Sequence, residues 1–205
     1  MRYFKYLYFV IFVITINSCS VSTFQPYYCE NKFKEIKQKD NSTPDKFSFA
    51  ASAMVSGLPA FIKGEFKENE KIYISSPFGK NILTIEKKDG SICVKASGFE
   101  SCDYGEILSL VSLYMPHAKP LTDMNLLKSL ISKKFNIQEN ENYQCEGNIL
   151  KIIRPDYTLV YEEGSLRKII YKDYNVEYGL NDEIQLTNHG KTLMKLNISN
   201  INFFK

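Results

Sequence analysis

Lys46-Phe47-Ser48-Phe49-Ala50-Ala51-Ser52-Ala53-Met54 runs through Ser56-Gly57-Leu58-Pro59 into Ala60-Phe61-Ile62-Lys63-Gly64-Glu65-Phe66, and this stretch decides the fold of the 205-residue chain. Phe47, Phe49, Ala51 and Ala53 fall on one parity, as do Ala60, Ile62, Gly64 and Phe66 after the turn. Successive side chains of a strand point to opposite faces, so a period of two with a Gly-Pro-containing turn between two runs is the signature of a half-solvated antiparallel hairpin.

The same grammar continues downstream. Glu68-Asn69-Glu70 turns the chain into Lys71–Ser75; Pro77-Phe78-Gly79 leads to Asn81–Glu86; Lys88-Asp89-Gly90 is a hairpin signal before Ser91–Lys95. That makes a meander of five strands. Between residues 103 and 135 the period changes. Ile107, Leu108, Leu110, Val111 and Tyr114 recur at helical spacing behind Asp103 as N-cap. Leu126, Leu127, Leu130 and Ile131 do so behind Thr122 or Asp123, with Pro116 and Pro120 between the two. Strand patterning then resumes over Ile149–Ile153, Tyr157–Tyr161, Leu166–Tyr171, Asn175–Tyr178, Glu183–Thr187 and Leu193–Ile198. About eleven antiparallel strands must curl to hide their apolar face. The expected fold is mainly β (α+β): a curled antiparallel half-barrel with a helical lid, about 103–135, inserted between its two halves.

Upstream, Arg2 and Lys5 precede an apolar run from Tyr6 to Ile16 and then Asn17-Ser18-Cys19. A bilayer-spanning helix needs roughly 20 apolar residues, so this shorter run predicts a secretory signal. Ile16 three positions before Cys19, with the small Ser18 between, resembles the bacterial lipoprotein signal. The resemblance implies cleavage after residue 18, acylation of Cys19 and, with Ser20 rather than Asp next, an outer-membrane destination facing the periplasm. Residues 19–45 then form a lipidated N-terminus and polar tether, helical over part of Glu30–Lys39, and 46–205 form the folded domain.

Loss of Arg2 and Lys5 takes the formal net charge from +3 to +1, and no Lys/Arg block of the kind that follows a phosphate backbone occurs. Nucleic acid is therefore not an expected partner. Four cysteines remain: Cys29, Cys93, Cys102 and Cys145. An oxidising compartment favours disulfides among them, and three pairings are open. The short hairpin-like excursion between Cys93 and Cys102 makes that pair the favoured one. No Cys-x-x-Cys is present and His117 and His189 are far apart in sequence, so neither a metal nor a cofactor is expected. No nucleophile motif or phosphate loop marks an enzyme.

From Lys46 onward the order of strands, helical insert and strands resembles the family of the periplasmic lipoprotein carrier LolA and receptor LolB. Ile74-Ser75-Ser76-Pro77-Phe78-Gly79, then Ile82-Leu83-Thr84-Ile85 and Asp89-Gly90, is similar to the receptor's Asn-Pro-Leu-Gly loop and the strand and turn after it. Ile184-Gln185-Leu186-Thr187-Asn188-His189-Gly190 and Leu193–Asn200 are similar to its closing hairpin. The chain departs from the pattern in lacking tryptophan and in placing Ser76 where Asn is usual. Given the lipobox, the resemblance implies a monomeric, anchored receptor. Such a receptor takes acylated lipoproteins from a soluble LolA-like carrier into an apolar cavity and inserts them into the membrane, with no bond chemistry. Pro77, Phe78 and Gly79 would form the membrane-insertion loop, because a large apolar side chain in a Pro-Phe-Gly turn projects outward. Ile62, Phe66, Leu83, Ile85, Leu108, Val111, Leu127 and Ile131 would line the acyl-chain cavity. Two other functions fit the same residues: a lipoprotein of this fold binding another amphiphile such as a glycolipid, or a structural accessory of an envelope complex.

Overall fold

The computed structural model describes residues 24–55, 57–96, 98–103, 105–107, 109 and 124–204. Helix α1 (Phe24–Ser42) leads into six strands: β1 (Phe47–Val55), β2 (Leu58–Phe66), β3 (Lys71–Ser75), β4 (Asn81–Lys88), β5 (Ser91–Ala96) and β6 (Phe99–Ser101). After the insert, which contains α2 (Met124–Ser132), come β7 (Asn142–Glu146), β8 (Ile149–Ile153), β9 (Thr158–Glu162) and β10 (Ser165–Tyr171). The chain closes with β11 (Tyr174–Tyr178), β12 (Glu183–Asn188) and β13 (Lys191–Phe203).

All thirteen strands belong to one antiparallel sheet in the order β6-β5-β4-β3-β2-β1-β13-β12-β11-β10-β9-β8-β7. The two meanders are joined at the centre by β1 and β13, with Phe47 opposite Phe203 and Ala53 opposite Leu196. The sheet is not closed, and its edges are β6 and β7. In sequence the insert follows one edge strand, β6, and precedes the other, β7.

The period-two runs are buried on one face only. Phe47, Phe49, Ala51 and Ala53 of β1 share a core with Phe66, Ile72, Leu150, Ile152, Leu159, Ile169, Val176, Ile184, Leu186 and Leu196. Phe33 and Ile36 of α1 and Met124, Leu130 and Ile131 of α2 belong to the same cluster, which places both helices on the concave face. Opposite Ala50 and Ala51, β13 carries Ser199 as an extra residue between Asn200 and Ile198. Its Oγ donates to the Ala50 carbonyl at 3.0 Å. Such a bulge bends its strand and helps curl the sheet.

Among the described residues thirteen strands form where about eleven are expected. The additions are the two edges: β6 has three residues, and β7 alternates only Tyr143 and Cys145 against Asn142, Gln144 and Glu146, too few apolar side chains to register as a pattern. The sequence makes 19–45 a polar tether, helical over part of Glu30–Lys39; in the structure residues 24–42 of it form α1, helical well beyond that span. Among its residues 28–42, whose burial is described, the buried ones are Phe33, Ile36 and Asp40. Phe33 stacks on Tyr143 with centroids 4.3 Å apart, and Cys29 is disulfide-bonded to Cys145 of β7. The Asp40 carboxylate accepts the backbone N–H of Phe135 at 2.6 Å and of Ile137 at 2.9 Å, tying the end of α1 to the chain after α2. The second disulfide joins Cys93 to Cys102. Residues 1–23, with the signal, its cleavage site and Cys19, lie outside the described residues, as does most of the first expected lid helix.

Candidate functional site

The β3–β4 connection is residues 76–80, in which Ser76 and Lys80 close a tight loop over Pro77, Phe78 and Gly79. Ser76 N–H donates to the Lys80 carbonyl at 2.8 Å, Gly79 N–H to the Ser76 carbonyl at 2.9 Å, and Lys80 N–H to Ser76 Oγ at 3.2 Å. Pro77 fixes φ at the second turn position, and Gly79 takes φ +79°, which an L side chain resists. Tied this tightly at its base, the loop gives Phe78 no route back to the sheet, and the side chain is 97% exposed. Pro77 and Gly79 are exposed beside it.

Phe78 has apolar company at the same end of the sheet. Phe61 pairs with Ser75, so the loop beyond Ser75 reaches toward the level of Leu58, the first residue of β2. Leu58 is 72% exposed, and Met54, Phe61 and Ile82 are each about half exposed. Ile82 is displaced outward by a register shift that pairs Ser75 with Asn81 but Ile74 with Leu83. Residues 54–64 and 75–85 contain Lys63 and Lys80 and no carboxylate. The sequence pointed to Phe78 alone; Leu58 and Ile82 were missed because their exposure depends on where strands end.

The expected cavity residues divide. Ile62 and Leu83 flank Ile74 in one cross-strand row, and Ile85 lies between Ile72 and Val94 in the next; Ile62, Leu83 and Ile85 are half-buried on the concave side of β2 and β4. Leu127 of α2 is half-buried and packs against the core. Phe66 is fully buried, its ring 4.9 Å from that of Phe47, and is core rather than lining. Ile131 is fully buried as well. Leu108 and Val111 lie outside the described residues.

An open groove of about 700 Å³ lies elsewhere, where α1 ends against β13 and the β9–β10 turn. Asp40, Thr43, Tyr161, Ser165, Ile198 and Ile201 are among its lining residues, and of the expected cavity set it includes only Ile131. Tyr161 is buried and its Oη has no hydrogen-bond partner. Burial, with Asp40 nearby, raises the pKa of this phenol, so it stays a donor. The neighbouring Tyr178 is satisfied, donating to the Leu130 carbonyl at 2.9 Å.

On the convex face, Glu86 lies 3.0 Å from Lys71 Nζ and 2.9 Å from Lys95 Nζ. Hydrogen bonds from Lys95 and then Lys71 lower its pKa to about 2 and raise those of both lysines. This cluster ties β3, β4 and β5 together beside the Cys93–Cys102 disulfide. Among the described residues no group of three His, Cys, Asp or Glu side chains is placed to hold a metal ion.

No protein-family model matches the chain, and no curated protein matches it. Among solved structures it is similar to one described as the crystal structure of MucB, with a TM-score of 0.35 and 10% identity over 87% of this chain and 60% of that one. It is also similar to MucB in complex with MucA(peri), with a TM-score of 0.21 and 14% identity over 85% of this chain and 55% of the other. The chain thus spans less than two thirds of either, and neither is described as a lipoprotein carrier or receptor.

Proposed function

We propose that this protein is a lipid-anchored receptor of the bacterial outer membrane, held at the periplasmic face through Cys19. It accepts acylated lipoproteins from a soluble carrier and passes them to the bilayer without bond chemistry. The observation that carries the proposal is Phe78: a large apolar side chain held in water by a loop hydrogen-bonded at its base. Exposing it is unfavourable by about 1.5–3 kcal/mol relative to burial, and insertion into lipid recovers that. The half-buried wall of Ile62, Leu83 and Ile85 is the apolar surface on which an acyl chain would rest.

A second reading is favoured by α1. Phe33 and Ile36 occupy the concave face in the C-terminal half, and the described residues there form packed core except at the groove beside the end of α1. An accessory lipoprotein that binds a protein partner needs no acyl cavity and fits that half better.

Passenger transfer tests the two. The full-length lipidated protein, reconstituted in vesicles, is given a carrier–lipoprotein complex, and the passenger is followed into the membrane. Transfer slowed by about tenfold in Phe78→Glu supports the receptor. No acceptance from a working carrier overturns it and leaves the accessory.

A further inference from the structure

The central strand β13 is longer than its neighbour on the C-terminal side. β12 pairs with it only over Lys191–Asn197, and just beyond, Ile198 N–H donates to the Asp182 carbonyl at 3.3 Å. Over residues 199–203, β13 pairs with β1 alone. Phe204 N–H turns toward β1 and donates to the Lys46 carbonyl at 2.9 Å. Successive residues of a strand direct their amide groups to opposite sides, so the N–H and C=O of Phe203 and Ile201 face away from β1. They face the groove, which both residues line, and no described strand pairs with them there.

An open stretch of strand edge is a template for another backbone. Here the last turn of α1 and the segment through Thr43 and Pro44 form one wall, and Gly164 and Ser165 of the β9–β10 turn form the other. Tyr161 supplies a buried donor with no acceptor. A lipid chain would leave that hydroxyl and the strand edge unsatisfied. An extended peptide would meet both, through its backbone and one side chain able to accept a hydrogen bond.

We propose that the groove is a peptide-binding site, in which an extended segment of a partner protein adds as a strand to β13 beside Ile201 and Phe203, in line with β12. Main-chain pairing would give the affinity, and Tyr161 would select an inward acceptor such as Asn, Gln, Ser or Thr at one position. Five residues of strand span about 16 Å, so the segment is short. The site does not depend on the receptor reading.

The test begins by panning a random heptapeptide phage library on the full-length protein. A selected peptide is then synthesised with and without N-methyl groups on alternate amides. The expected result is protection of the Ile201 and Phe203 amides from hydrogen exchange by the unmodified peptide. One of the two alternate N-methylation patterns should weaken binding by about tenfold or more, because it removes the paired donors. Ser165→Trp, which fills the groove from its rim, should abolish binding while leaving the thermal midpoint near that of the parent. Peptides that leave both amides unprotected, that tolerate either methylation pattern, or that bind Ser165→Trp normally overturn the proposal. So does a library that yields no binder, or palmitate protecting the same amides where peptides do not.

Discussion

Gly64 on β2 lies directly opposite Phe49 on β1, and a Cβ at position 64 would come 2.1 Å from Phe49 Cε1. The ring occupies the space a side chain would need. Gly64→Ala should therefore destabilise the protein by about 1–3 kcal/mol through overpacking, read as a lower urea midpoint with an unchanged slope. Adding Phe49→Leu should recover part of that loss, since the two positions share one volume; purely additive effects would show that the clash is relieved elsewhere.

The disulfides should differ in worth. Cys29–Cys145 spans 116 residues and fixes α1 to an edge strand, whereas Cys93–Cys102 spans 9. Loop-closure entropy predicts about 4–5 kcal/mol for the long loop and under about 3 kcal/mol for the short one. Replacing each pair by serines and comparing urea unfolding tests the order. Hydrogen exchange along α1 should rise only when the long-range pair is removed.

Glu86 sets an acid-sensitive window. Its folded-state pKa is depressed to about 2 from an ordinary 4.5, so its stabilisation is fully present above 4.5 and is lost as pH falls through 2. Glu86→Gln should lower the thermal midpoint at neutral pH and flatten its decline between those two values. Equal slopes for variant and parent would mean the Lys71 and Lys95 contacts are not formed in solution.

Leu58→Glu should weaken membrane contact alongside Phe78→Glu, because both side chains stand at one end of the sheet among residues without a carboxylate. The chain has no tryptophan, so Phe78→Trp and Leu58→Trp each provide a single reporter. Both should shift to the blue and be quenched by brominated lipids in vesicles carrying the anchored protein. Leu180→Trp, in the β11–β12 turn at the opposite end of the strands, should stay unquenched.

What the sequence made legible was whatever repeats locally. Phe47, Phe49, Ala51 and Ala53 announce β1, and Asp89-Gly90 announces the β4–β5 turn; both are properties of a few adjacent residues. The Pro77-Phe78-Gly79 loop was legible for the same reason. Edge strands were not, since an edge is half solvated and needs few apolar side chains, as β7 shows. The pairing of Cys29 with Cys145 follows from α1 docking on β7, which no local pattern encodes. The cavity residues were read from the same alternation that marks core, and alternation does not distinguish Phe66, packed against Phe47, from Ile62, half open. The groove arises because β13 outruns β12, a mismatch visible only once the strands are in register.

The meeting of β1 with β13 at the sheet's centre also governs how the chain can be made. β1 and β13 are separated along the chain by every other strand, so the N-terminal meander must wait, with the unpaired N–H and C=O groups of β1 bare, until β13 reaches it. Pairings of such high sequence separation form slowly, and bare edges invite association between chains. The two meanders are each held by local hairpins and can assemble ahead of the seam. Closing that seam is then the late step of folding, and a chain stalled before β13 is released would be the species most in need of a chaperone.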